Sequence, residues 1–344
     1  MDVTCNRSKN NKYKHMRYIL LVIICFVCLG CGNTTRINTG KTPSDTQDAV
    51  FKIDSLSPTK PPKSKEIIIT KDVPIRSYFK WMDSLVATLN EKQNYVIDEY
   101  LIVHHNKWIL DTLVNTDYYY LMDKGVFNED SKSLMVLKKD QVLVIPDAFK
   151  TEQLQAQLDS TYIDLNIPEF RLRIFQNKNE LYSFPVRVGK NGSRYMAMAN
   201  RDVDMRTRPG IGEIIRVNKY PDFINPENNR PYTSTRRDDG KRTQLPAIPW
   251  LEPAVNGVSH GQLIHPTTNL ATLGKASSNG CIGLRESHAW IVYYYAPLGT
   301  KVVFRYDLKG QNDKGETIQF LDIYPGFEKY DTKKLKRGNQ SDRS

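Results

Sequence analysis

One imidazole and one thiol in the second half of the chain have the types and the order for covalent catalysis. His265 ends the apolar run Leu263-Ile264-His265, and after a Gly-containing loop comes Ser278-Asn279-Gly280-Cys281. A free thiol titrates at about 8.5 and is mostly protonated at neutral pH, but a neighbouring imidazole can take its proton and make the nucleophilic thiolate. Gly280, directly before the thiol, lets backbone N–H groups turn toward a developing oxyanion. The chemistry this allows is acyl transfer through a thioester, with Cys281 as nucleophile and His265 as base. The alternative is an inert packed thiol, because free Cys also behaves as a small hydrophobe.

The other cysteines sharpen that choice. Cys5, Cys25, Cys28 and Cys31 all fall in the first 31 residues, which leaves Cys281 alone in the body of the chain. An exported domain with one thiol cannot close an internal disulfide. Export is what the N-terminus suggests: basic residues up to Arg17 precede an apolar run from Tyr18 to Leu29, followed by Gly30-Cys31. The run is shorter than the roughly 20 residues of a spanning helix and ends in small residues, as a secretion signal does. Leu29-Gly30-Cys31 resembles a bacterial lipobox, which implies lipid attachment at Cys31; an uncleaved signal anchor is the other reading. Either way the expected localisation is the cell envelope, on a membrane-anchored protein facing the periplasm.

The elements that must position the pair follow from periodicity. We divide the chain into a secretion signal (1–31), a polar Pro-containing linker (32–65), a small α+β region of unknown role (66–150), a β-rich catalytic domain (151–325) and a polar basic tail (326–344). The linker carries Pro58, Pro61 and Pro62 and has no regular apolar period. In the α+β region an amphipathic stretch spans Tyr78–Leu89, apolar clusters lie at Tyr95–Val103 and Lys107–Val114, and Leu134–Ile145 alternates like a strand. His104 and His105 are adjacent, and on a strand they would face opposite ways, so no metal site is expected from them. A connecting helix is expected at Thr151–Ser160. Short strands then follow at Tyr162–Asn166, Phe170–Phe175, Leu181–Val188, Gly210–Val217, Gly261–His265 and Lys301–Tyr306, with an edge strand at Thr317–Ile323. Between Tyr220 and Pro253 six prolines interrupt the pattern, which argues against a regular core element there. A lid or cleft wall fits such a segment, a disordered insertion being the alternative, and Tyr232 and Trp250 offer apolar anchors.

The net charge is +11, but Lys and Arg are interleaved with acids and no nucleic-acid motif is present, so a nucleic-acid partner is not expected. A basic surface also suits a carboxylate-rich polymer.

About half of the chain resembles the L,D-transpeptidase (YkuD-type) catalytic domain. The resemblance rests on four segments in order: Phe184-Pro185-Val186-Arg187-Val188-Gly189-Lys190, Thr207-Arg208-Pro209-Gly210, the His265 to Cys281 stretch, and Ala296 to Val303. It implies a mainly β, sandwich-like fold with a short helix after the Cys. It further implies attack on a peptidoglycan stem peptide, a thioester on Cys281, and passage of the acyl group to an amine. His265 matches the family's base, Ser278, Asn279 and Gly280 stand at the motif positions, and backbone N–H groups near Gly280 and Cys281 would form the oxyanion hole. No metal or organic cofactor is implied. Two positions depart from the family motif: Asn279 replaces its second His, and Gly283 stands where Arg is common. Asn cannot titrate near neutral pH, which leaves His265 as the base. Arg285 is a candidate to replace the missing Arg, and His260 and Trp250 are candidates to line the cleft. Hydrolysis of the same bond, as an L,D-carboxypeptidase or amidase, is the nearest alternative activity. A catalytically silent peptidoglycan-binding protein is the alternative outside enzymes.

Overall fold

The computed structural model describes residues 65–312 and 314–326. The expected signal, the Cys31 lipid site, the linker up to residue 64 and the tail beyond residue 326 lie outside the described residues.

The chain is mainly β, with an α+β region at its N-terminal end. The centre is a mixed sheet of nine strands. Across it run Ile282–Leu284, Ile264–Pro266, Trp250–Val255, Gly210–Asn218, Lys301–Arg305, Thr161–Asn166, Arg171–Gln176 and Asn179–Pro185, with Val258–Ser259 added beside Trp250–Val255. Two neighbouring pairs are parallel, Ile264–Pro266 with Ile282–Leu284 and Lys301–Arg305 with Thr161–Asn166. The sheet curls until its ends meet. Just past Pro185, Arg187 donates its N–H to the Gly283 carbonyl and Gly283 donates back to Arg187, each at 3.0 Å, which makes the sheet barrel-like. Closure satisfies backbone groups that an open edge would leave unpaired.

The α+β region packs onto this barrel through one continuous apolar core. Helix Ile75–Lys92 contains the expected amphipathic stretch and buries Tyr78, Phe79, Met82 and Leu89 at the 3.6-residue period. Helices Glu99–His105 and Lys107–Val114 follow, and Asp98 caps the first by accepting the Leu101 N–H. Helix Glu286–Tyr295, directly after the Cys281 strand, is buried nearly all round: Ala289, Trp290, Val292, Tyr293 and Tyr294 are all covered. It packs against Lys107–Val114. The hydroxyls of Tyr78 and Tyr294 meet at 2.7 Å, so even the polar tips of these buried rings are paired.

Four expectations change on contact with the fold. His104 and His105 lie on a helix, not a strand, because the apolar positions Leu101, Ile102 and Val103 around them are packed against other helices. The proline-rich segment does end in a core strand, Trp250–Val255. Pro253 is accommodated there because the register with Gly210–Asn218 shifts between Ile214 and Arg216, and a residue at such a bulge need not donate. The rest of that segment forms two short ribbons, Ile224–Asn225 with Arg230–Pro231 and Ser234–Arg236 with Arg242–Gln244. Finally, Thr317–Gln319 pairs only with Lys309–Gln311 as a separate ribbon and does not join the edge of the main sheet.

Candidate active site

Parallel pairing puts His265 and Cys281 on the same face of neighbouring chain segments. His265 lies opposite Gly283 in the register, and Cys281, two residues earlier, falls on the same side as Gly283 by the alternation of an extended chain. Both side chains are half-buried, and Cys281 is a free thiol.

The imidazole has one tautomer. His265 Nδ1 lies 2.8 Å from the Pro266 carbonyl, which can only accept, so Nδ1 carries the proton and Nε2 is left as the acceptor. Burial, reinforced by the nearby Arg187 charge, lowers His265 to about 4, against the small opposing effect of the Pro266 hydrogen bond. The ring is therefore neutral at neutral pH. Burial likewise pushes the Cys281 thiol up, opposed by the Leu263 main chain and by Arg187. At rest the thiol and the imidazole are both neutral.

The turn before the thiol is clamped from three sides. Gly280 has φ +112°, a conformation L side chains rarely adopt. Ser278 Oγ donates to the Cys281 carbonyl at 2.6 Å and accepts the Gly280 N–H at 3.3 Å. The Gly280 N–H is thus turned to Ser278, whereas the Cys281 N–H has no hydrogen-bond partner among the described residues. Of the two expected oxyanion donors, Cys281 N–H is the one left open. Thr207, fully buried, joins the clamp by donating to the Gly280 carbonyl and accepting the Gly189 N–H, each at 2.9 Å. Gly189 is itself forced: a Cβ there would fall 1.8 Å from the Met205 carbonyl oxygen. Gln262 holds the outer side, accepting from Arg208 N and donating to the Arg206 carbonyl. Thr207 and Gln262 both stand inside segments singled out from sequence, yet nothing in their local pattern marks them as clamps.

The remaining candidates are distributed unevenly. Trp250 stands with its ring centre 5.5 Å from that of His265 and 4.9 Å from that of Phe223. It lines a small surface cleft with Arg216, Asn218, Glu252 and Leu263, and its buried indole N–H has no partner. Asn279 is half-buried in the clamped turn. His260 is exposed, with Arg208 as the charge that acts on it. Arg285 is engaged elsewhere: Asp117 of the α+β region accepts from its Nε at 2.9 Å and its Nη2 at 3.0 Å. That fork commits its guanidinium to Asp117. His288 stacks on Phe184 at 4.2 Å, inside the packing beneath the strand. His104 bonds the Tyr294 carbonyl at 2.8 Å and contacts the Tyr295 ring edge. Among the described residues no group of three or more His, Cys, Asp or Glu is placed to hold a metal ion.

Sequence reasoning missed Arg187. Its side chain runs across Gly283, where an added Cβ would meet Arg187 Nε at 2.4 Å, Cγ at 2.7 Å and Cδ at 2.9 Å. Its charge acts on both His265 and Cys281. The signal was present as an absence, a glycine at a motif position that commonly carries Arg.

The model of the YkuD family, the L,D-transpeptidase catalytic domain, matches residues 160–304. No curated protein matches the chain. Among solved structures, the chain is similar to an L,D-transpeptidase from Mycobacterium smegmatis at 14% identity, covering 42% of this chain and 58% of that one with a TM-score of 0.29. It is also similar to L,D-transpeptidase 3 from Mycobacterium tuberculosis in complex with a faropenem-derived adduct, at 16% identity, 42% and 60% coverage and a TM-score of 0.28. An L,D-transpeptidase from Xylanimonas cellulosilytica (its residues 123–326) aligns at 11% identity, 71% and 100% coverage and a TM-score of 0.31. The chain spans about three fifths of the length of the mycobacterial structures. The segment that matches the YkuD L,D-transpeptidase catalytic-domain model runs from the start of the sheet to its closing strand and contains the clamped thiol, His265 and the Arg187–Gly283 contact.

Proposed function

We propose that this protein is a cell-envelope L,D-transpeptidase that acts on peptidoglycan stem peptides through a thioester on Cys281. The observation that carries the proposal is the state of His265, a neutral ring whose Nδ1–H is committed to Pro266 and whose Nε2 is an acceptor on the strand beside the thiol. In the first half-reaction Nε2 takes the Cys281 proton while sulfur attacks the carbonyl carbon at the L-centre. The amide C–N bond breaks, and the proton passes from His265 to the departing amine of the D-residue. In the second, an acceptor amine attacks the thioester, gives its proton to His265, and the C–S bond breaks with return of the proton to sulfur. The Cys281 N–H is oriented by the clamped turn to meet the oxyanion in both steps.

Exported, lipid-anchored placement through Cys31 belongs to the same proposal, since the substrate lies outside the cytoplasm and the leader has the form of a signal ending in a lipobox. The membrane partner is the lipid at Cys31 or the uncleaved signal.

The test is intact-mass analysis of the full chain with a carbapenem and with a tetrapeptide-stem muropeptide, beside Cys281→Ala. A covalent adduct on the wild type and none on the variant, together with dimeric muropeptide products, is the expected result. Shortened monomers without dimers would instead make the enzyme a hydrolase. A folded wild type that forms no adduct and turns nothing over would refute the proposal.

A further inference from the structure

Resting on that reading, we propose that Arg187 binds a carboxylate of the acyl donor beside the scissile bond, supplying from the opposite end of the closed sheet the cation that position 283 lacks. Three observations carry this. First, Arg187 Nε is buried and has no hydrogen-bond partner, although buried guanidinium donors are nearly always paired. Second, no carboxylate forms an ion pair with Arg187 among the described residues; the ionisable groups that act on it are Cys281 and Tyr232. A cation kept unpaired next to a nucleophile is a site prepared for an anion that arrives with the substrate. Third, the place is built for it: the Arg187 stem crosses Gly283 so closely that no side chain fits there, and the reciprocal backbone bonds between Arg187 and Gly283 fix where the stem begins.

The chemistry of the occupant follows from the group. A guanidinium presents parallel N–H donors that match a planar carboxylate, and it does so best where water is partly excluded. In a stem peptide that ends in a D-residue, the terminal carboxylate lies one residue from the carbonyl to be attacked. Seating that carboxylate on Arg187 brings the carbonyl within reach of Cys281. Tyr232, exposed on the proline-rich segment, is close enough to act electrostatically on the same guanidinium.

The decisive experiment reads binding, so that it does not depend on turnover. The full chain in mild detergent, carrying Cys281→Ala, is titrated with a tetrapeptide-stem muropeptide whose terminal carboxylate is free and with the same compound amidated there. Arg187→Gln is expected to weaken the free-carboxylate ligand by about 10- to 100-fold, the range for a charge-assisted hydrogen bond, and to leave the amidated ligand within about 2-fold. Gly283→Arg alone is expected to bind poorly because two side chains compete for one space. Arg187→Ala combined with Gly283→Arg is expected to recover most of the affinity for the free carboxylate. Equal losses on both ligands, no loss on either, or no measurable binding by the protein that keeps Arg187 would overturn the proposal. The two readings separate cleanly: an unmodified thiol in the wild-type mass assay strikes the enzyme, whereas a carboxylate-independent Arg187 strikes only this inference. Circular dichroism melts of each variant report folding.

Discussion

Two arginines near the catalytic turn are held in opposite ways. At the start of helix Glu286–Tyr295 every charge has a partner. Arg285 is forked onto Asp117, Arg237 donates to Glu286 at 2.6 Å and to Thr243 at 2.8 Å, and Asp117 also accepts the Ser287 N–H. A few residues away, Arg187 crosses Gly283 with its Nε unpaired, beside a neutral thiol and a neutral imidazole. Arg187 Nε is buried, so leaving it unpaired carries a cost that the paired groups do not. Completed charge networks near a site fix the scaffold, and an incomplete one marks where a ligand completes it.

The contrast can be broken first at the base. His265→Ala is expected to lower the rate of Cys281 acylation by about 100- to 10,000-fold with little change in melting temperature, as removal of a general base does. Stopped-flow mass or fluorescence kinetics with a carbapenem would check it. A loss under 10-fold would mean that Cys281 is activated by something other than this ring.

On the paired side the effect should fall on stability. Asp117→Asn leaves Arg285 without its anion and is expected to cost about 1.5–3 kcal/mol, nearer the low end because Arg285 keeps some contact with water. Denaturant melts would measure it. The pH dependence has a definite sign. Burial pushes Asp117 up, but the Arg285 fork and the N–H groups of Ser287 and Tyr120 outweigh it and hold the carboxyl below its ordinary range. Its contribution is therefore complete above the unfolded value of about 3.9 and is lost as pH falls through the lower folded value. The variant should lack that part of the acid loss.

A finer distinction is the acid limb of activity. With His265 lowered to about 4, the rate constant for acylation should hold steady as pH falls through the ordinary imidazole value of about 6.5. For stability the sign is the reverse of a favourable ion pair. Between about 6.5 and 4 the unfolded chain binds a proton at this ring that the folded one refuses, so this group costs stability as pH falls across that window. An acid limb centred near 6.5 would count against the neutral pair.

Much of this was legible locally. The thiol, the base and the Gly280 turn lie within one short stretch, and their chemistry depends on residue type and order. Helix Ile75–Lys92 and the strand pair Thr161–Asn166 and Arg171–Gln176 declare themselves by period. What was illegible depends on residues that meet only in the folded chain. Asp117 caps a helix that begins at residue 286, Thr207 bridges Gly189 and Gly280, and Arg187 fills the space above Gly283. Trp250–Val255 was obscured by Pro253, whose missing N–H matters only if the register is regular, and here it is not. What residues 66–150 touch was unreadable for the same reason: Asp117, Tyr118 and Tyr119 meet Arg285, Glu286 and Thr268 only in the folded chain.

The meeting of Arg187 with Gly283 also sets an order of events. The two residues are about a hundred positions apart in the chain, so their pairing requires a long loop to close, a slow step that local helices and hairpins can precede. Until it happens the thiol has neither its cation nor its shelter and behaves as an ordinary cysteine. The modification rate of Cys281 in a refolding chain is therefore a reporter of sheet closure at this seam.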